Sequence, residues 1–203
     1  MVGNPGAAAG IINTRSTHLP TLSSAVFPPS ELWDYAVILY SQETVAAACL
    51  RLQDRRGADV NMLLYCLWIA ASGRQRLSAA DLAAAQEAGA YWQSQVVEPL
   101  RHARRNLKTP AMPVDGRLAA ELRRGVSDSE LFAEHMQIIM LDRMMTRPGG
   151  GGGSLEDRAK DAAANLEDYF RAAGLKAEAA DAADLAILLD AAFPGWEAEA
   201  PPS

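Results

Sequence analysis

The stretch Met62-Leu63-Leu64-Tyr65-Cys66-Leu67-Trp68-Ile69-Ala70-Ala71 runs for ten residues without a charged or amide side chain. As a helix it is too short to cross a bilayer, which takes about 20 apolar residues. A helix that is apolar on every face must be enclosed by other elements. The segment from Asp59 to Ser72, stopped by Gly73, is therefore expected to be the central helix of a bundle. Composition points the same way, because 39 Ala and 23 Leu stand against 9 Val and 7 Ile. Ala and Leu lose little rotamer freedom in a helix, whereas β-branched side chains lose more. The expected fold is all-α, a single helical bundle around this central apolar helix, with a C-terminal helical hairpin on a Gly-rich linker.

Working outward, Ser30 is placed to cap a first helix carrying Leu32, Trp33, Ala36, Leu39 and Tyr40. Ser41 is placed to cap a second, with Val45, Ala48, Cys49 and Leu52 on one stripe and Gly57 as its end. On the other side Ser78, with Asp81 three residues on, opens a long helix whose stripe runs through Leu82, Gly89, Trp92, Val96, Leu100, Ala103 and Leu107. Pro99 lies inside it and predicts a kink or a restart. After the break Thr109-Pro110-Ala111-Met112-Pro113, residues 115–146 give one interrupted helix or two, divided near Gly125, where Ser127 and Glu130 have capping-box spacing. Gly149 to Gly153 read as a flexible linker, and Ser154 caps the first helix of a closing hairpin. The 203 residues thus divide into a disordered leader (1–29), a helical bundle domain (30–146), a Gly-rich linker (147–154), the hairpin (155–194) and a disordered tail (195–203).

The net charge of −6 is uneven: −2 over residues 1–50, +5 over 51–124 and −9 over 125–203. Cys49 and Cys66 sit within apolar helical patterns and form no Cys-x-x-Cys pair, so both are expected in the core of a protein from a reducing compartment. With no signal peptide and no apolar run long enough to span a membrane, a cytoplasmic location without membrane partners is expected.

The familiar catalytic patterns are missing. His18, His102 and His135 lie in separate segments without His-Glu-x-x-His or Glu-x-x-His spacing, which removes helix-borne zinc and di-iron sites. Gly149 to Gly153 lead to Ser154 without the Lys of a phosphate-binding loop. Gly125-Val126-Ser127-Asp128-Ser129 lacks the second Gly of a nucleophile elbow. No catalytic residue, metal site or cofactor is expected. His135 and Asp142, seven apart on the arc of Leu131, Ile138 and Met145, should face inward, about 10 Å apart along the axis. Arg101, Arg104, Arg105 and Lys108 mostly share a helix face and could contact phosphates, but cations near a helix C-terminus are favoured by the macrodipole in any case. In an acidic chain with no recognition motif, nucleic acid is not an expected partner.

One set of residues carries a resemblance: Trp33, Tyr40, Val45, Cys49, Leu52-Gln53-Asp54, Gly57, Asp59-Val60-Asn61, Leu63-Leu64, Leu67-Trp68, Gly73, Trp92, and Pro99-Leu100-Arg101 with Arg104 and Lys108. With these, the run from Trp33 to Lys108 resembles a proteobacterial family of short conserved hypothetical proteins, a domain of unknown function of about 160 residues. The resemblance implies a bacterial cytoplasmic protein and carries no reaction, cofactor or partner.

It does single out Gln53, Asp54, Asp59 and Asn61, which lead into the apolar helix. Capping by Asp59 and the Gly57 turn explain them structurally. Alternatively they converge with Arg101 or Arg104, and with His135, on a polar pocket. Two functions follow. The first is a non-enzymatic protein-interaction or regulatory module with a protein partner. The alternative is a helical enzyme or small-ligand binder with its pocket around Asp54, Asp59, Asn61 and Arg101.

Overall fold

The computed structural model describes residues 27–109 and 113–196. Most of the expected leader, the middle of the 109–113 break and most of the expected tail lie outside the described residues. Among those described there are eight α-helices and no strand: α1 (Glu31–Tyr40), α2 (Glu43–Arg56), α3 (Val60–Ala71), α4 (Ala79–Trp92), α5 (Glu98–Asn106), α6 (Gly116–Met144), α7 (Leu155–Ala172) and α8 (Ala179–Ala192). The chain is all-α. No helix among the described residues is long and apolar enough to cross a membrane.

Every residue of α3 from Val60 to Ala70 is buried, and the helix touches α1, α2, α4, α6, α7 and α8. Burying a side chain such as Leu63, Leu64 or Leu67 contributes about 1.5–3 kcal/mol, so one such segment organises the whole core. Its N-terminus is capped by Asp59, whose carboxylate accepts from the Asn61 amide at 2.9 Å. The preceding Gly57, at φ +70°, ends α2 in the left-handed conformation that turns the chain back.

Local chemistry explains most of the other boundaries. Ser30, Ser78 and Ser154 each accept a backbone N–H as N-caps, and Ser154 completes a capping box with Asp157. Ser41 does not cap α2. Its hydroxyl instead donates to the Ile38 carbonyl of the preceding helix, and Gln42 occupies the cap position. Pro99 is accommodated without a stop, because α4 widens into a π turn at Gln93–Val97 and continues as α5 with Pro99 in its first turn. Pro has no N–H for the carbonyl four residues back, and the wider turn, closed by the Glu98 amide on the Gln93 carbonyl, absorbs the mismatch. The expected division near Gly125 is absent: α6 is one helix of 29 residues, and Ser129 donates its hydroxyl to the Gly125 carbonyl within it.

The hairpin shares the core of the bundle. Ala159, Ala162, Leu166, Tyr169, Phe170, Leu188 and Phe193 belong to the same buried cluster as α3. Buried Asn165 pins α7 in place, accepting from the Leu77 amide at 2.8 Å and donating to the Cys66 carbonyl at 3.1 Å. On the far side α8 meets α2 through Arg51, Arg55 and Arg56, which pair with Asp181 and Asp184. The glycine stretch, expected to be a flexible tether, is pressed against the end of α3. The Gly150 amide donates to the Ser72 carbonyl at 2.8 Å. A Cβ at Gly73 would stand 2.6 Å from the Gly151 carbonyl oxygen, and one at Gly151 would stand 2.5 Å from that of Gly73. Two backbones pass so closely here that neither position has room for a side chain.

Candidate functional site

A polar cleft of about 600 Å³ opens where the α2–α3 turn meets the π turn, α5 and the end of α7. Gln53 and Asp54 line it from the last turn of α2, Asp59 from the N-cap of α3, Gln93 and Ser94 from the π turn, Glu98, Arg101 and Arg105 from α5, and Tyr169 from α7. Met62, Ala90 and Leu175 supply apolar wall. The π turn is thus part of the site, as such irregular turns often are.

Asp59 sits at the centre of a hydrogen-bond network. One carboxylate oxygen accepts from the Asn61 amide, the other from Gln137 Nε2 at 2.6 Å, and its own backbone N–H donates to the Tyr169 hydroxyl at 2.8 Å. Gln137 is fully buried and accepts at Oε1 from Asn61 Nδ2 at 2.8 Å and from Gln93 Nε2 at 2.9 Å. Burial pushes the Asp59 carboxyl above the usual carboxylate range, against the hydrogen bonds from Gln137 and the Asn61 and Met62 amides and the nearby Arg101 charge. Its hydrogen-bond donors are all neutral.

Behind the cleft wall lies an ion cluster. Arg101 donates from Nε to Glu130 at 3.1 Å, from Nη1 to Glu98 at 2.6 Å and from Nη2 to Glu134 at 2.9 Å. Arg104 pairs with Glu130. Glu130, Glu134, Arg101 and Arg104 are all buried. Burial alone would lower the Arg101 pKa, but Glu134, Glu130 and Glu98 outweigh it and hold the guanidinium charged. The arginines expected to form a basic face therefore divide: two turn inward to neutralise glutamates of α6, while Arg105 stays exposed.

Of the seven residues expected in a pocket, Gln53, Asp54, Asp59 and Arg101 line the cleft. Asn61 lies behind it, joined through Gln137, and Arg104 lies behind it, joined through Glu130. His135 is elsewhere. Its ring is stacked between Trp33 and Phe27, with centroid separations of 3.5 and 3.8 Å. Asp142, expected to face inward with it, is half-buried. Burial lowers the His135 pKa to about 4 from its ordinary 6.5. The folded state thus keeps this imidazole neutral, while the unfolded chain takes up a proton below about 6.5. Its contribution is fully present above that pH and is lost as pH falls towards 4. Urea unfolding at pH 7 and pH 4.5 should show His135→Phe losing about 1–3 kcal/mol less than the unmodified chain across that interval.

Gln137, Glu134 and Tyr169 were not singled out from the sequence, and Glu130 was read only as a helix-capping residue. The available signal was spacing: Glu130 and Glu134 lie one turn apart on α6, as do Arg101 and Arg104 on α5. Two such pairs of opposite sign can zip two helices together. Among the described residues no group of His, Cys, Asp and Glu could hold a metal ion.

The sequence profile described as "Protein of unknown function (DUF2390)" matches residues 31–141, more than half of the chain. The chain belongs to this family. No curated protein and no solved structure matches it. The DUF2390 span covers α1 to α5 and most of α6, and with them Asp59, Arg101, Glu130, Glu134 and Gln137. The cleft is nevertheless closed by Tyr169 and Leu175, which lie beyond that span.

Proposed function

We propose that the cleft binds a small polar molecule rich in hydrogen-bond donors, with Asp59 as the anchoring acceptor. The observation that carries this reading is convergence: Gln53, Asp54, Asp59 and Glu98 meet on one cleft around a carboxyl whose proton affinity is raised. Perturbed carboxyls in clefts are enriched at functional sites. Among the charged groups of the lining, the carboxylates Asp54, Asp59 and Glu98 outnumber Arg105, the one guanidinium not engaged by glutamates, since Arg101 has all three nitrogens engaged. The two free, buried cysteines support a reducing setting such as a cytoplasm. A second reading, interaction with another macromolecule, is supported by apolar side chains left exposed along α6.

The test is to titrate the full chain with agmatine, putrescine, sorbitol and succinate while following backbone amide signals. The donor-bearing probes are expected to shift Gly57, Asp59 and Ser94, succinate is not, and Asp59→Asn should weaken the effect at least tenfold while keeping the N-cap. Shifts confined to α6, or equal shifts with succinate, would overturn the reading.

A further inference from the structure

We infer that the exposed face of α6 is a self-complementary dimer surface, and that its occupant is α6 of a second copy of this chain, running antiparallel. Leu118, Leu122 and Met136 are 55%, 58% and 42% exposed. At 100° per residue they share one stripe with Gly125, Ser129, Phe132 and Met140. The spacing along this stripe, 118, 122, 125, 129, 132, 136, alternates four and three, which is the heptad pattern of a helix that pairs with another helix. A Cβ at Gly125 would meet nothing within 4 Å, so the face is open at its middle.

Leu118, Leu122, Met136 and Met140 are also placed symmetrically about Ser129, while Gly125 and Phe132 fall opposite Ala133 and Val126. Leu122 and Met136 stand seven residues to either side, and Leu118 and Met140 eleven. Turning a second α6 about a twofold axis through Ser129 therefore sets Leu122 of one copy on Met136 of the other, and Leu118 on Met140. The receiving surface is already shaped. Phe132, Met136, Ile139, Met140 and Met144, with Trp92, line an apolar groove of about 660 Å³ along the C-terminal half of α6. The exposed leucines that would fill it lie on the N-terminal half of the same helix. Such a match of a surface with itself is what a twofold interface requires.

Charge selects the same register. Arg143 falls opposite Asp115 of the other copy, fourteen residues from the axis on each side. Arg143 makes no ion pair among the described residues. Asp115 caps α6 through one carboxylate oxygen, Oδ1, leaving the other for a guanidinium. The symmetry forms this pair twice, over a contact about 33 Å long between residues 118 and 140.

Two measurements on the full chain test this. Light scattering after size exclusion is expected to give twice the 21.7 kDa chain mass, and Met136→Glu, at an exposed site, should raise the dissociation constant at least 100-fold with an unchanged helical spectrum. Disulfide trapping reads the register. Ser129→Cys, on the axis, should link to its own copy, and Leu118→Cys alone should not, while Leu118→Cys with Met140→Cys should. The native thiols are buried and do not compete. A monomer at 100 µM, a dimer that survives Met136→Glu, or linking through Leu118→Cys alone as efficient as through Ser129→Cys would each overturn the proposal.

Discussion

A chain ending at Thr146 is expected to lose its cooperative unfolding transition. Removing residues 147–203 deletes Leu166, Tyr169, Phe170, Leu188 and Phe193, all buried in the common core. At about 1.5–3 kcal/mol each, their burial matches the entire stability of an ordinary domain, roughly 5–15 kcal/mol. The loss is also polar. The Asp59 amide would lose the Tyr169 hydroxyl, the Leu77 amide would lose Asn165, and three arginines of α2 would lose Asp181 and Asp184. Calorimetry and dye binding should show a broad, low-enthalpy melt with exposed apolar surface. A sharp transition within about 5 °C of the full chain would mean that α7 and α8 are dispensable to the core, contrary to this account.

Replacing Arg101 with Met should cost about 3–5 kcal/mol, because removing one member of a buried ion cluster leaves its partners uncompensated. The guanidinium is the common partner of Glu98, Glu130 and Glu134, and only Glu98 among these is substantially exposed. Arg104 would remain on Glu130, but Glu134 would lose its guanidinium. Neutralising that glutamate should therefore rescue the defect: Arg101→Met with Glu134→Gln is expected to recover at least a third of the lost stability in urea unfolding at pH 7. A cost below about 1 kcal/mol, or no rescue, would show that the cluster does not hold α5 to α6.

These two experiments address the parts of the molecule that were least legible in the sequence. Helix α3 could be read because its apolar character on all faces admits one kind of surroundings, and Asp59, Ser78 and Ser154 could be read because capping is a local matter. Gly125 misled because a helix-breaking tendency of about 1 kcal/mol is easily outweighed by packing on either side. Gly149 to Gly153 misled for a different reason. Glycine-rich composition describes both a chain that is free to move and one squeezed against another backbone, and only the contact between Gly73 and Gly151 distinguishes them.

The candidate site divides along the same line. Gln53, Asp54 and Asp59 were visible as polar residues flanking an apolar helix, but Gln137 and Tyr169 reach them from positions 78 and 110 residues away. Single-sequence periodicity carries no information over such separations. It did place Arg101 on a helix face, without showing that the face is turned towards two buried glutamates.

The docking of α7 along α3 also bears on the order in which the molecule can form. Asn165 closes its hydrogen bond on Cys66 across 99 residues of chain, and Tyr169 reaches Asp59 across 110. Non-local contacts of this kind incur their loop-closure entropy before they return any stabilisation, and they slow folding. During synthesis α3 emerges early and then waits, its apolar surface incompletely covered, until the last helices arrive. The refolding rate of the chain should be set by that late closure, and until it occurs the uncovered apolar face of α3 favours aggregation.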